Sequence, residues 1–173
     1  MATAAGVLFL RHNYDTVMGF TPKHSHYSGF GGTKEEGESI LTTALREAVE
    51  ELYGISPDEE LLDELVDRFA ENPRYERDGY LFILIWFDEY PEFADIVRFY
   101  TRRTPFYDRF PKTIKSLVRK RKSVENMEIT HLIVGTPMAQ YDHPVDPNFI
   151  ADWDLACRDV LDDLTNYSSE DSE

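Results

Sequence analysis

A single cysteine, Cys157, in 173 residues excludes an internal disulfide framework, so nothing in the chain asks for an oxidising compartment. Long apolar runs are missing as well. The run Leu81 to Phe87 (LFILIWF) falls far short of the roughly 20 residues that a bilayer-crossing helix requires. No basic leader precedes the apolar stretch Ala4 to Leu10, which reads as a first strand rather than a signal peptide. Positive charge is scarce: 18 Lys and Arg stand against 33 Asp and Glu, a net charge of −15 that would repel nucleic acid overall. Internal repeats are absent, and the one biased segment is the polar tail 168–173, expected to be disordered. What remains is a 42% apolar chain of a length that makes one globular domain, expected over residues 1–167. A cytoplasmic location follows, or the host cytoplasm for a viral protein.

The scarce positive charge is concentrated. Arg98 to Lys122 holds ten basic residues against one acid, Asp108, a net of +9, which leaves −24 for the remainder because the whole carries −15. Such a run is often only a solvated face that balances an acidic protein. Its other reading is a groove that steers a polyanion, with Lys112, Arg119 and Lys120 as candidate contacts.

The densest pattern lies from Gly32 to Ile55, GTKEEGESILTTALREAVEELYGI. At about 100° per residue, Leu41, Leu45, Ala48 and Leu52 fall on one stripe of a helix, while Glu47, Glu50 and Glu51 gather on another. Like charges at such spacings destabilise an exposed helix by roughly 0.2–0.5 kcal/mol per pair, and within the helix only Arg46, four residues before Glu50, offers relief. A cation is therefore expected at this face. Hard divalent ions take oxygen ligands, and magnesium is commonly held by one or two carboxylates together with water and substrate phosphates. The glycines at 29, 31 and 32 allow close backbone approach, Gly37 marks a turn, and Ser39 is a good N-cap.

Glycine, five residues, glutamate, seven residues, Arg-Glu, an apolar residue, one further residue and Glu-Glu resembles the Nudix box, at Gly32, Glu38, Arg46, Glu47, Ala48, Glu50 and Glu51. One departure follows. The family usually has a single residue between the Glu-Glu pair and the next glycine, whereas Leu52 and Tyr53 both precede Gly54. The resemblance covers the 24 residues of the box by motif, and the rest of the chain by layout.

It implies an α/β fold, a Nudix-like α/β/α sandwich with a mixed sheet. The spacing along the chain predicts strands at Gly6 to Arg11, Gly79 to Phe87 and Glu128 to Gly135, and two extended pieces between Tyr14 and Gly32. Helices are predicted at 39–53, 58–70, 93–101, 111–122 (Pro111 in the first turn) and 148–164, with Phe149, Trp153, Ala156 and Val160 on one side of the last. Residues 88–126, which hold the basic run, are longer than a compact core needs and read as a helical insertion or substrate lid.

Carried over by position, the family chemistry implies a hydrolase acting on phosphoanhydrides with magnesium or manganese as cofactor. Glu47, Glu50 and Glu51 would hold metal, with the Gly32 carbonyl as a further ligand. Arg46 would orient a neighbouring carboxylate, and Glu38 would bind a second ion or tie the loop to the helix. Glu50, Glu125 or Glu128 could serve as general base. His24 and His26 are candidates for substrate phosphate, and Phe20, Tyr27 and Trp86 for stacking on a base. His131 is expected to point away from the core. Substrates open at this stage are the mRNA cap, with the basic run on the RNA body, or a small molecule such as a diphosphoinositol polyphosphate, a dinucleoside polyphosphate or an oxidised nucleotide. A non-catalytic binding module is the third reading, disfavoured by an intact set of box acids. The family also allows a homodimer, although no residue marks an interface.

Overall fold

Alternation along two parallel strands divides the core. In strand β1 (Ala4–Leu10), Ala5, Val7 and Phe9 face one side while Leu8 and Leu10 face the other. Strand β6 (Tyr80–Trp86) runs beside it in register from Ala4↔Tyr80 to Leu10↔Trp86, and repeats the pattern with Leu81, Ile83 and Ile85 against Phe82 and Leu84. A strand buried on both faces must read as a near-continuous apolar run, which explains LFILIWF. The computed structural model describes residues 1–170, and for residues 165–170 the backbone alone.

The sheet has seven strands and is mixed. Strands β2 (Thr16–Thr21), β3 (His26–Ser28) and β4 (Phe30–Thr33) follow β1, three extended pieces where two were expected. β4 pairs antiparallel with the first half of β1, from Ala4↔Thr33 to Val7↔Phe30, and β2 meets β1 only at Leu10↔Thr16. β2 carries β3 on one edge and β7 (His131–Gly135) on the other. β7 begins three residues later than predicted, so Glu128 lies in the loop before it. Unforeseen was β5 (Arg74–Arg77), hairpinned to β6 through Asp78 and Gly79 with φ of 51° and 80°. An Asp-Gly pair with both φ positive is a strong local hairpin signal.

Helix α1 (Ile40–Tyr53) starts at Ser39, whose hydroxyl accepts the Thr42 N–H at 3.1 Å, and stops at Gly54 in the left-handed conformation, φ 65°. The extra box residue is thereby explained. Leu52 and Tyr53, both fully buried, complete the last turn, and the glycine caps it. Helix α2 (Glu59–Phe69) is capped by Asp58 as expected. Helix α3 (Tyr90–Thr101) follows a short 3-10 turn, and α4 (Ile114–Arg119) begins after an N-cap at Thr113, so Pro111 lies before the helix rather than in its first turn.

Residues 88–126 hold α3 and α4 with non-helical stretches between and after them, and they share the core. Tyr90, Phe93, Ala94 and Val97 are fully buried beside α1, and the Phe93 ring packs against Phe9, Tyr53 and Phe69. Burying each such aromatic contributes about 1.5–3 kcal/mol, which anchors the segment as a loosely attached lid would not be anchored. On the opposite face, α5 (Pro147–Glu170) packs Phe149, Ala156 and Cys157 onto the sheet, with Trp153 and Val160 partly buried beside them. Helix α5 runs past Leu164 through residues 168–170 of the expected tail, and residues 171–173 of that tail lie outside the described residues. The product is an α/β/α sandwich around a mixed sheet.

Candidate active site

Arg46 organises the acidic face of α1. It is 7% exposed, too buried to remain unpaired, and every side of its guanidinium is used. Nε donates to Glu38 at 2.5 Å, Nη2 to Glu38 at 3.2 Å and to the Thr33 carbonyl at 3.1 Å, and Nη1 to Glu47 at 2.8 Å and Glu50 at 3.2 Å. Glu38 also accepts from the Thr43 hydroxyl at 2.8 Å and the Glu35 N–H at 3.0 Å. Its carboxyl is consequently held down from 4.5 to about 2, chiefly by the Arg46 hydrogen bond. Glu38 therefore ties the loop to the helix.

The absence of a side chain at position 32 leaves room for Glu47. A Cβ there would overlap the carboxyl group of Glu47, so the backbone of β4 and this carboxylate touch directly. One residue earlier, the Gly31 N–H donates to Glu51 at 3.1 Å. Glu47, Glu50 and Glu51 open into a small cleft of about 100 Å³ that Phe106, Glu128 and Ile129 complete. The Glu51 carboxyl is pushed well above its ordinary value by burial first, then by Glu128, Glu47 and Glu50, with the Gly31 N–H acting the other way. The Glu50 carboxyl is raised as well, mainly by burial and against the pull of Arg46.

Among the described residues no three acidic, histidine or cysteine groups form a ready-made ion cage. The geometry supplies the reason, since Arg46 holds Glu47 and Glu50 while Gly31 holds Glu51. The donor chemistry nevertheless fits a hard divalent cation: several carboxylates gathered beside a backbone with no side chain in the way.

A second, larger cleft of about 400 Å³ opens on the other face of the sheet, sharing Gly31 and Gly32 with the acidic site and walled by Arg77, Tyr80, Asp152 and Phe149. Asp152 is 5% exposed and accepts from Arg77 Nε at 2.8 Å. Burial raises its carboxyl, and Arg77 partly offsets that. The Tyr80 hydroxyl lies against the backbone of Gly6 and Gly31, where only glycine leaves room. These wall residues were not foreseen. They come from β5, β6 and α5, far apart in the chain, and no spacing links them.

Other candidates scatter. Glu128 lines the acidic cleft, whereas Glu125 is exposed and does not. Phe20 and Tyr27 belong to the packing between β2, β3 and the loop before α5: the Tyr27 hydroxyl donates to Asp142 at 2.8 Å and lies 3.0 Å from His131 Nε2, and the Phe20 ring stacks on His131. His131 itself is exposed, as expected. His24 and His26 lie against each other at the β2–β3 turn and line neither cleft. Trp86 stacks on His12 at the far end of β6. Lys112, Arg119 and Lys120 are exposed and line neither the acidic cleft nor the larger one.

No family profile matches the chain, and no protein of curated function does. Among solved structures, it is similar to a NUDIX family hydrolase from Clostridium perfringens, at 15% identity and a TM-score of 0.41 over 90% of this chain and 96% of that one. It is similar also to the E. coli ORF135 protein, at 17% identity and a TM-score of 0.38 over 91% and 92% of the two chains. A C. elegans Ap4A hydrolase matches 50% of this chain and 68% of its own at 21% identity and a TM-score of 0.31. Likenesses this distant decide nothing alone. The chain carries a segment that resembles the Nudix box on an α/β/α sandwich around a mixed sheet.

Proposed function

We propose that this protein is a divalent-cation-dependent Nudix hydrolase that cleaves a phosphoanhydride bond in a nucleoside diphosphate-linked substrate. The observation that carries the reading is the convergence of Glu47, Glu50, Glu51 and Glu128 on one cleft beside the bare backbone of Gly32. Glu47, Glu50, Glu51 and the Gly32 carbonyl would hold magnesium or manganese, which would supply Lewis acidity at the phosphoryl oxygens and make bound water more acidic. The chain's own groups do the rest. Arg46 fixes Glu47 and Glu50 in orientation, so little reorganisation is needed when charge develops. Glu128 stands where a carboxylate can accept the proton of an attacking water as the new P–O bond forms and the bridging P–O bond breaks. Glu50 is the other base within the same cleft, while Glu125 does not line that cleft. The neighbouring cleft behind Gly31 and Gly32 suits the substrate's non-reacting group, with Arg77, Asp152 and Tyr80 as polar contacts.

A second, finer reading is mRNA decapping. It is favoured by the exposure of Arg98, Arg102, Arg103, Arg109, Lys112, Lys115, Arg119 and Lys120, none of which has an ion-pair partner among the described residues. The experiment is a panel of dinucleoside polyphosphates, diphosphoinositol polyphosphates, oxidised nucleotides and capped RNA, assayed with magnesium for the wild type and for Glu50→Gln and Glu51→Gln. Turnover that the variants leave unchanged would overturn hydrolysis at this site, and no turnover on any member would favour a binding module. For capped RNA, affinity should fall steeply with salt, and neutralising Lys112, Arg119 and Lys120 should lessen the log–log slope by about 2–3. Equal activity on capped RNA and free cap analogue, with no salt slope, removes the RNA body from the account.

A further inference from the structure

At the C-terminal end of β1, away from both clefts, a pocket of about 610 Å³ lies between α3, α4 and β7. Its floor is apolar, made by Phe87, Ile114, Val118 and Val134, and three cations from two separate parts of the chain stand around it: Arg11 just past β1, and Lys115 and Arg119 on one face of α4. None of the three has an ion-pair partner among the described residues, although the chain outside the basic run carries −24. Asp88, the sole carboxylate in the lining, is turned toward His12 at 3.6 Å. Unbalanced cations over an apolar floor define an occupant of matching make-up, with a ring or other flat apolar body and several negative charges. A single carboxylate would leave two cations unbalanced, whereas a di- or triphosphate would not.

From this geometry we infer that the pocket is a second binding site, for a nucleoside di- or triphosphate, with the base on Phe87, Val118 and Val134 and the phosphates among Arg11, Lys115 and Arg119. It is distinct from the acidic cleft. The two share no lining residue. Its volume lies in the range of small-molecule sites. Because it needs no metal, it should bind under conditions in which the glutamate cleft repels polyphosphate.

The test is isothermal titration of the full chain with ATP in excess EDTA. Saturable binding is expected, weakened about tenfold or more by Lys115→Glu or Arg119→Glu, with Lys23→Glu binding as the wild type does; tenfold corresponds to 1.4 kcal/mol. Inorganic triphosphate, which lacks the ring, should bind about tenfold more weakly than ATP. All the substituted side chains are exposed, and thermal melts of the variants check folding. Absence of saturation in EDTA, indifference to both reversals, or equal binding of triphosphate and ATP would each overturn the proposal. Magnesium-dependent turnover by the same preparation is read separately, so the pocket can fail while the hydrolase reading stands.

Discussion

The guanidinium of Arg121 donates to the backbone carbonyl of Glu51 at 2.8 Å, so a residue of the basic segment closes the last turn of the helix that displays the carboxylates. The same group donates to the carbonyls of Leu52 at 2.8 Å and Ile129 at 2.9 Å and lies over the Phe106 ring. Helix C-termini leave carbonyls unsatisfied, and a cation there is favoured by the helix dipole. Arg121→Met should therefore lower stability by about 2–4 kcal/mol, read as a shift in urea midpoint, and should lower turnover because Glu51 and Ile129 both border the cleft. Arg121→Lys should recover little, since one ammonium cannot serve three diverging carbonyls. Wild-type stability in both variants would show that Arg121 is only one more charge in the run.

Arg121 also marks where sequence reasoning stopped. Charge counting placed it with nine other bases, and nothing local distinguishes it from Lys120 or Lys122, because its partners lie 69 and 70 residues earlier. The box was legible for the opposite reason. Ser39, Arg46, Glu47, Glu50, Glu51 and Gly54 act within one helix and its caps, so their spacing is their geometry. β1 and β6 showed themselves by continuous apolar runs, while the edge strand β5, RYER, has no such run and was betrayed only by the Asp-Gly turn after it. The larger cleft was invisible. Arg77 meets Asp152 across 75 residues, and only the pairing of β5 with β6 and the docking of α5 bring them together.

Gly32→Ala separates fold from function. The added methyl would overlap the far end of the Glu47 side chain, which can swing away, so folding stability should change by no more than about 1 kcal/mol. Glu47 would then leave its place beside the β4 backbone and beside Arg46. Turnover with magnesium should fall by about 100-fold or more, as removal of a preorganised group does. A thermal melt and an activity assay on one preparation decide it. A large loss of stability with little loss of turnover would mean that the glycine serves the sheet alone.

Acid sensitivity follows from Glu38. Its folded pKa of about 2 lies below the ordinary 4.5, so its contribution to stability is whole above pH 4.5 and disappears as pH falls toward 2. Burial of the Glu38–Arg46 pair costs desolvation that offsets part of the gain, which limits that contribution to roughly 1–2 kcal/mol. Glu38→Gln should be less stable than the wild type by this amount at pH 7, and the two unfolding midpoints should converge as pH drops through the window. Parallel curves with a constant gap at every pH would show that charge at Glu38 is not what holds the loop.

Glu51→Gln should separate stability from activity more sharply. The Glu51 carboxyl is pushed up by burial and by Glu128, Glu47 and Glu50, so its contribution is most favourable below pH 4.5 and is lost as pH rises toward the folded value. Without divalent ions at pH 7–8, a neutral amide removes that repulsion, and the variant should be more stable than the wild type by about 1–2 kcal/mol. The gain should vanish below about pH 4.5, where both side chains are neutral. Saturating magnesium or manganese reverses the order: an ion at 100 times its dissociation constant stabilises the wild type by about 2.7 kcal/mol, and the variant, short of one ligand, gains much less. Turnover should fall in the variant while its metal-free melting temperature rises. Chelation must then restore the metal-free ranking. A variant that is less stable than the wild type in EDTA, or a wild type whose melting temperature ignores magnesium, would mean that the charge gathered around Glu51 is balanced by something other than a bound cation.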